Sequence, residues 1–374
     1  MTQYTCDFNL KDNLIHLNHA AVAPWPVQTQ LAVQAFAEEN VRQGSLNYLQ
    51  WLEHEANLRR LLKTLINADS TDEIALLKST SEALSVVAYG LDWQAGDSVV
   101  IAAEEFPSNR ILWQSLEQFG VTVRQVSYQT DDDAEQLMIH ACDKTTRLIS
   151  VSAVQYASGR RTDLEKIGLH CEQNNILFCV DAIQQLGALD FDVNKVKADF
   201  VAADGHKWML GAEGLALFYC RKKHLTTLKL HQYGWHMLEN PHDFDATDCS
   251  PAQSARRFEC GSPNTMGIIA LEQSLLLLES VGLANIEKII LDNTRFLIEQ
   301  FSNNPNLEVL SSTEPARLSA IVVVRHKQMP SSELFDYLKQ HHVLCAPRGG
   351  GIRFSPHYYT PRDKLEQLVK LLAF

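Results

Sequence analysis

From about residue 70 to 220, short apolar runs alternate with amphipathic segments. The runs are EIALLK, SVVIAA, VTVRQVSY, RLISVSAV, ILFCVD, ADFVAADG and LALFYC; between them lie SEALSVVAYGL, SNRILWQSLEQFG, DAEQLMIHAC and DLEKIGLHCEQN. Apolar runs of roughly four to eight residues are short for helices and suit strands buried on both faces. Amphipathic segments between them supply the crossovers of βαβ units. The pattern predicts an α/β large domain built on a mostly parallel seven-stranded sheet.

On either side the pattern changes. Val27 to Arg42 and Tyr48 to Leu65 read as two helices joined by a turn at Gly44, and residues 221 to 265 are irregular and rich in His, Asp and Pro. A long apolar helix follows from Thr265 to Leu278, then a second near Ala284 to Asn303. The strand SAIVVVRH, the helix SSELFDYLKQH, the short strands VLCAP and IRFSP and a terminal helix from Arg362 complete the chain. Fewer strands among more helices predict a smaller α+β domain. We expect residues 15–260 to form the large domain, and residues 1–14 with 261–374 to form the small one.

Composition narrows the partners. With 374 residues, 45% of them hydrophobic, the chain can bury cores for about two domains. A formal net charge of -12 leaves no basic field for nucleic acid or an anionic membrane. No run reaches the roughly 18 to 20 uncharged residues of a membrane span, and Met1 to Leu10 lacks a signal-peptide pattern, so a cytoplasmic protein is expected. The eight cysteines include no CxxC pair, and Cys179 and Cys220 lie inside apolar runs, as reduced core thiols do. Adjacent histidines such as His341 and His342 point to different faces of any helix, so no metal site is expected.

Candidate chemistry gathers at the ends of the apolar runs. Asp204, Gly205, His206 and Lys207 follow Phe200 to Ala203, while Asp181 ends ILFCVD. The offset of 26 positions (207 minus 181) allows one crossover between neighbouring parallel strands. A lysine amine and a carboxylate held this way suit pyridoxal phosphate: the amine forms a Schiff base with its aldehyde, and the carboxylate keeps its ring nitrogen protonated. His326 and Lys327 make another HK pair after an apolar strand, but without the glycine or the upstream aspartate. Asp181 also suits a helix N-cap.

Other positions fit the same ligand. Lys78 to Ala83 sets hydroxyl residues between a strand and a helix, forming either an anion seat for the cofactor phosphate or a plain capping motif. Glu105 to Asn109 leaves the end of SVVIAA, where open α/β sheets bind ligands; Phe106 can stack on a ring there, and a simple turn is the alternative. Arg353, in IRFSPHYY, offers a fork for a substrate carboxylate, or a structural ion pair. No GxGxxG follows an early strand, which argues against a dinucleotide oxidoreductase.

LNHAAVAPWP, STSEA, EEFPSN, VSAVQYASGRRTDL, VDAIQQLGAL, DFVAADGHKWMLGAEGLALFY, RFECGSPN and RFSPHYYT run in order over nearly the whole chain. Together they resemble the class V aminotransferase family, fold type I of the pyridoxal phosphate enzymes. That family includes cysteine desulfurases, selenocysteine lyases, kynureninase and isopenicillin N epimerase. The resemblance implies Lys207 as the Schiff-base lysine, Asp181 on the ring nitrogen, Gln184 on the ring hydroxyl oxygen, and His206, Thr80 and Ser81 on the phosphate. Ser262 matches a position that reaches the phosphate of the other subunit, which implies a homodimer with shared sites. Phe106 matches the ring-stacking position, in the FPSN form of the kynureninase-like and epimerase-like branches. Gln155 matches a polar position near ring and substrate, Arg353 the carboxylate anchor, and Asn18 and His19 the segment edging the substrate pocket.

Two departures matter. Asp204 stands where desulfurases commonly carry a hydroxyl residue near the phosphate, so its carboxylate is expected to turn away. Cys345 lies within VLCAP rather than on a loop, which disfavours persulfide chemistry. The expected function is that of an enzyme acting on an α-amino acid through Lys207, as an aminotransferase or a β-eliminating lyase. Cysteine desulfurase, selenocysteine lyase or epimerase activity is the alternative. A non-catalytic cofactor-binding protein comes last, since Lys207 and Arg353 are intact.

Overall fold

The computed structural model describes residues 4–127, 133–245, 247 and 249–373. The chain opens with a short strand, β1 (Ile15–His16), and two helices, α1 (Val27–Gln43) and α2 (Tyr48–Leu65). The apolar runs become β2 (Ile74–Leu77), β3 (Ser98–Ala102), β4 (Thr122–Val126), β5 (Thr146–Ser152), β6 (Leu177–Asp181), β7 (Phe200–Asp204) and β8 (Ala216–Cys220). Between them lie α3 (Thr80–Gly90), α4 (Ser108–Gln114), α5 (Ala134–His140), α6 (Leu164–Asn174) and the single turn α7 (Val193–Val196).

These strands form one seven-stranded sheet in the order β2-β8-β7-β6-β5-β3-β4. Only β8 runs against its neighbours. The reason is the connection: residues 205–215 hold no helix, and so short a link cannot carry the chain over the sheet to a parallel position. The strand turns back beside β7, and the turn carries Gly205, His206 and Lys207. Every residue of β2, β3, β7 and β8 is buried, which explains runs without polar alternation.

The remainder comprises α8 (Thr265–Val281), α9 (Leu283–Ser302), β9 (Leu307–Val309), β10 (Val322–His326), α10 (Ser331–Gln340), β11 (Val343–Leu344), β12 (Ala346–Arg348), β13 (Gly351–Phe354) and α11 (Arg362–Leu371). A small antiparallel sheet has the order β12-β13-β10-β9, while β1 pairs in parallel with β11. The segment VLCAP therefore divides at Cys345 between two sheets, which its uniform apolar pattern does not reveal. Asn18 bridges Ser355, so residues 15–18 sit with the small sheet, and α8 packs on α1 and α2. Both lie on the far side of the boundaries drawn at residues 15 and 260.

Two apolar layers hold the large sheet. Leu58 and Leu62 of α2, Ile167 of α6 and Leu271 of α8 join one face with Val100, Ile149 and Val201. Leu84 and Val87 of α3 and Trp113 of α4 cover the other with Val99, Ile101 and Phe218. Fully burying one such side chain stabilises by about 1.5–3 kcal/mol, enough to fix which edge of the sheet meets solvent. Among the described residues no single helix is long and apolar enough to cross a membrane.

Candidate active site

Because β2, β3, β5, β6 and β7 run the same way, their carboxyl ends meet at one edge. The segments leaving that edge bring Thr80, Phe106, Tyr156, Asp181, Asp204, His206 and Lys207 around a cavity of about 350 Å³. Ala20 to Val22 close one side, and Arg348 and Arg353 of the small sheet close another. The cavity falls within the usual size of a ligand pocket, ~300–1,000 Å³.

Lys207 is buried, with Nζ 5.7 Å from the centroid of the Phe106 ring. Burial pushes its amine down to about 8, against the pull of the Asp181 carboxylate. Its backbone is held firmly: Leu210 N–H donates to Lys207 O at 3.1 Å, and Gly211 N–H to Gly205 O at 2.8 Å. Leu210 adopts φ +62°, a left-handed conformation that costs a non-glycine residue of order 1–3 kcal/mol. Bonds from Ala23 N–H to His206 O (2.9 Å) and from Trp25 Nε1 to Gly211 O (3.1 Å) hold the turn in that state.

Asp181 lines the cavity, and the residues after it form turns, not the helix that an N-cap would serve. Its Oδ1 accepts from Ile183 N–H at 3.1 Å, and burial raises its pKa to about 6. A second buried acid, Glu105, lies close enough for Asp181 to oppose its ionisation; burial is the larger cause, and its pKa reaches about 7. Glu105 accepts from Ser152 N–H at 2.7 Å, from the Ser152 hydroxyl, and from Gln155 Nε2 at 3.3 Å. The sequence reading gave Glu105 no role of its own. Glu104 is the first acid after the apolar run, so position alone does not single out Glu105.

Gln184 is oriented from behind. Trp208 Nε1 donates to its Oε1 at 2.9 Å, and its Nε2 donates to Ala20 O at 3.0 Å. An indole nitrogen only donates, so the amide cannot be flipped, and one Gln184 N–H remains for the cavity it lines.

At the start of α3, Thr80 and Asp204 bond reciprocally: Thr80 N–H donates to Asp204 Oδ2 at 3.0 Å, and Asp204 N–H to Thr80 Oγ1 at 3.0 Å. Asp204 therefore does not turn away as expected. Its carboxylate stays on the cavity wall because the first amide of α3 and the positive end of that helix offset its burial. Ser81 Oγ donates to Ser108 Oγ at 2.8 Å beside it. His206 Nδ1 is buried without a hydrogen-bond partner, 3.8 Å from Asp204 Oδ1, and burial lowers the ring's pKa.

The remaining expected residues divide. Arg353 lines the cavity; its Nη1 donates to Tyr156 O at 2.6 Å, and its Nε is buried without an acceptor. Phe106 is half-exposed, edge-on to Tyr156 with centroids 5.1 Å apart. Gln155 is buried against Glu105 and does not line the cavity. His19 is in the core, its Nδ1 2.7 Å from Ser355 O and its Nε2 2.5 Å from Tyr359 Oη, so neither nitrogen is left for a ligand. Asn18 lies beside it, and the cavity edge passes instead to Ala20 to Val22. Ser262 lines a separate recess with Lys78 and Glu82.

Residues 15–366 match the family described as aminotransferase class-V. The chain belongs to the class V aminotransferases. A probable cysteine desulfurase of Methanothermobacter thermautotrophicus is 30% identical over 389 residues, spanning 98% of this chain and 96% of the relative. An uncharacterized aminotransferase of Bacillus subtilis, YcbU, is 28% identical across 91% of this chain and 89% of its own length. Among solved structures, the complex of the cystine C–S lyase C-DES with its product cysteine persulfide has a TM-score of 0.90 at 21% identity, covering 97% of this chain and 98% of that one. The last likeness is one of fold.

Class V aminotransferases use pyridoxal phosphate, and this class V aminotransferase is a pyridoxal-phosphate-dependent enzyme of fold type I. Its side chains fit that group. The orphaned His206 nitrogen and the Ser81 and Ser108 hydroxyls lie by the start of α3, a setting for a phosphate. Asp181, Phe106 and the free N–H of Gln184 offer, respectively, a carboxylate, a flat ring and a donor for the pyridine.

Proposed function

We propose that this enzyme acts on a free α-amino acid, with Lys207 taking the α-proton, and that the outcome is amino transfer or loss of a β-substituent. The observation that carries the reading is a buried lysine amine of lowered pKa in one cavity with Asp181 and an Arg353 that has no ionic partner among the described residues. When bound, pyridoxal phosphate supplies an aldehyde that condenses with amines and a protonated ring that draws electrons from the α-carbon. Arg353 grips the α-carboxylate through its unused Nε, and Phe106 keeps the reacting system against a flat face. Asp181 would hold a proton on the ring nitrogen, and Gln184 would donate its free N–H to the ring hydroxyl oxygen. With the cofactor bound, Lys207 Nζ would be the neutral base placed to take the α-proton.

Two further parts belong to the reading. Ser262, which lines a neighbouring recess and not this cavity, would reach the phosphate of a second subunit in a homodimer. None of the eight cysteines is in a disulfide, which supports a reducing, cytoplasmic setting.

The names of the relatives favour removal of sulfur as a second reading. Cleavage of a C–S bond by β-elimination needs no protein thiol, so it fits the same residues. A persulfide on the enzyme itself does not: Cys345 is buried between β11 and β12, and burial pushes its thiol up to about 12. The test is incubation of the holoenzyme with a panel of amino acids, following the visible spectrum and the products. Amine-form cofactor with a keto acid marks transfer; keto acid with ammonia or sulfide marks elimination. Lys207→Ala should lower turnover by about 10²–10⁴. Undiminished turnover by that variant would remove Lys207 from the mechanism.

A further inference from the structure

β12 and β13 form a hairpin whose two-residue tip, Gly349 and Gly350, has φ of +61° and +81°. Positive φ at both central residues is what a type I′ turn requires. The register pairs Arg348 with Gly351 and Ala346 with Arg353. Strand side chains alternate between faces, so Arg348 and Arg353 project from the same face as diagonal neighbours, with Cβ atoms roughly 7–8 Å apart. Both line the Lys207 cavity.

The hairpin end is wedged in place. A Cβ at Gly349 would lie 2.5 Å from Ala157 O, and one at Gly351 would lie 2.3 Å from Val324 O. Arg348 therefore starts from a fixed backbone position beside the cavity. Neither guanidinium is in an ion pair among the described residues: Arg348 donates to Pro347 O at 2.8 Å, and Arg353 to Tyr156 O at 2.6 Å. Arg353 is 3% exposed, with its Nε unpartnered. None of the three acids lining the cavity is in an ion pair with either arginine among the described residues: Asp181 acts on Lys207, Asp204 is bonded to Thr80, and Glu213 acts on His206. One α-carboxylate can satisfy Arg353 and still leave the second cation unmatched.

We propose that Arg348 is a specificity residue that selects amino acids carrying a second oxyanion, a carboxylate or sulfinate on the side chain, while Arg353 takes the α-carboxylate. The proposal rests on the amino-acid reading above. It converts two cations on one rigid hairpin into a distance rule: the preferred substrate presents two anionic groups to the same face of β12 and β13.

Two measurements on the holoenzyme test it. The first compares kcat/KM for aspartate, glutamate and cysteine sulfinate with that for asparagine, glutamine and cysteine, in wild type, Arg348→Ala and Arg348→Lys. The wild type should favour the anionic series roughly ten- to a hundredfold, the worth of a charge-assisted bond. Arg348→Ala should erase that preference mainly through KM, and Arg348→Lys should keep part of it. The second measures calorimetric binding of succinate and glutarate against propionate and butyrate. Arg348→Ala should weaken the dicarboxylates selectively. A wild type that handles neutral partners as well as anionic ones, or a variant that loses both series equally, overturns the role of Arg348 and leaves the amino-acid reading standing. Failure of every amino acid, with dicarboxylates still bound through Arg348, overturns the amino-acid reading instead.

Discussion

Burial is what makes Lys207 useful near neutral pH. With its amine at about 8 instead of 10.5, the neutral form grows tenfold per unit below pH 8 and then saturates. Uptake of pyridoxal phosphate by the apoprotein, followed by stopped-flow absorbance, should rise with pH to about 8 and level off. A rate still climbing at pH 10 would mean an unperturbed amine. Glu105 gives an independent check. Its folded pKa of about 7 lies above the ordinary 4.5 of a glutamate, so its stabilising contribution is fully present below pH 4.5 and is lost as pH rises through about 7. Glu105→Gln should therefore gain thermal stability relative to wild type between pH 4.5 and 7, with a constant difference above. A difference that does not change over that range would place the Glu105 titration elsewhere. Lys207 and Asp181 were legible because charged residues at the ends of wholly apolar runs stand out. Glu105 was not, since Glu104 beside it is only partly buried and the pair reads as a turn. His19 misled for a related reason: sequence order places it next to the pocket, but its two nitrogens are both taken in the core.

At the scale of elements, α2, β2 and the turn near Glu259 meet at one guanidinium. Arg59 donates to Glu55 Oε1 at 2.5 Å, to Glu259 at 2.6 and 2.7 Å, and to Ile74 O at 2.8 Å. Leu76 N–H of β2 donates to Glu259 Oε1 at 2.8 Å. Glu55, His236 and Glu259 converge closely enough to hold a metal ion, but Arg59 already bonds both carboxylates. Arg59→Ala should cost about 3–5 kcal/mol, because it leaves two buried acids without their cation. Urea unfolding measures this, and a loss below about 1 kcal/mol would show that water reaches the cluster. This junction was invisible in the sequence: Arg59 and Glu259 lie 200 positions apart. The seven strands themselves were legible from their apolar runs. The reversal of β8 was not read, although the missing helix between β7 and β8 signals it. Strands such as β1 and β9, of two and three residues, are too short to show any period.

For the whole molecule, the chain exposes Leu31 and Val41 on α1, then Leu46 and Leu49, at 57%, 86%, 77% and 76%. Apolar groups left this open are suited to burial against a second copy. Sedimentation should give a species of twice 42.1 kDa at micromolar concentration. A fully active monomer would end the shared-site reading and the assignment of Ser262. That assignment rested on resemblance alone, and one chain's geometry leaves the serine facing a recess of its own.

The segment after β5 is tied along its length to β13 and to the link between β9 and β10. Ser158 O accepts from Ser311 Oγ at 2.6 Å, Gly159 O from Ser319 Oγ at 2.6 Å, Tyr156 O from Arg353, and Arg161 N–H donates to Arg317 O at 3.0 Å. Wide swinging of one lobe away from the other would break all of these at once. Admission of a reactant with these bonds intact would fall to the rotamers at the rim, those of Phe106 and Arg348 above all.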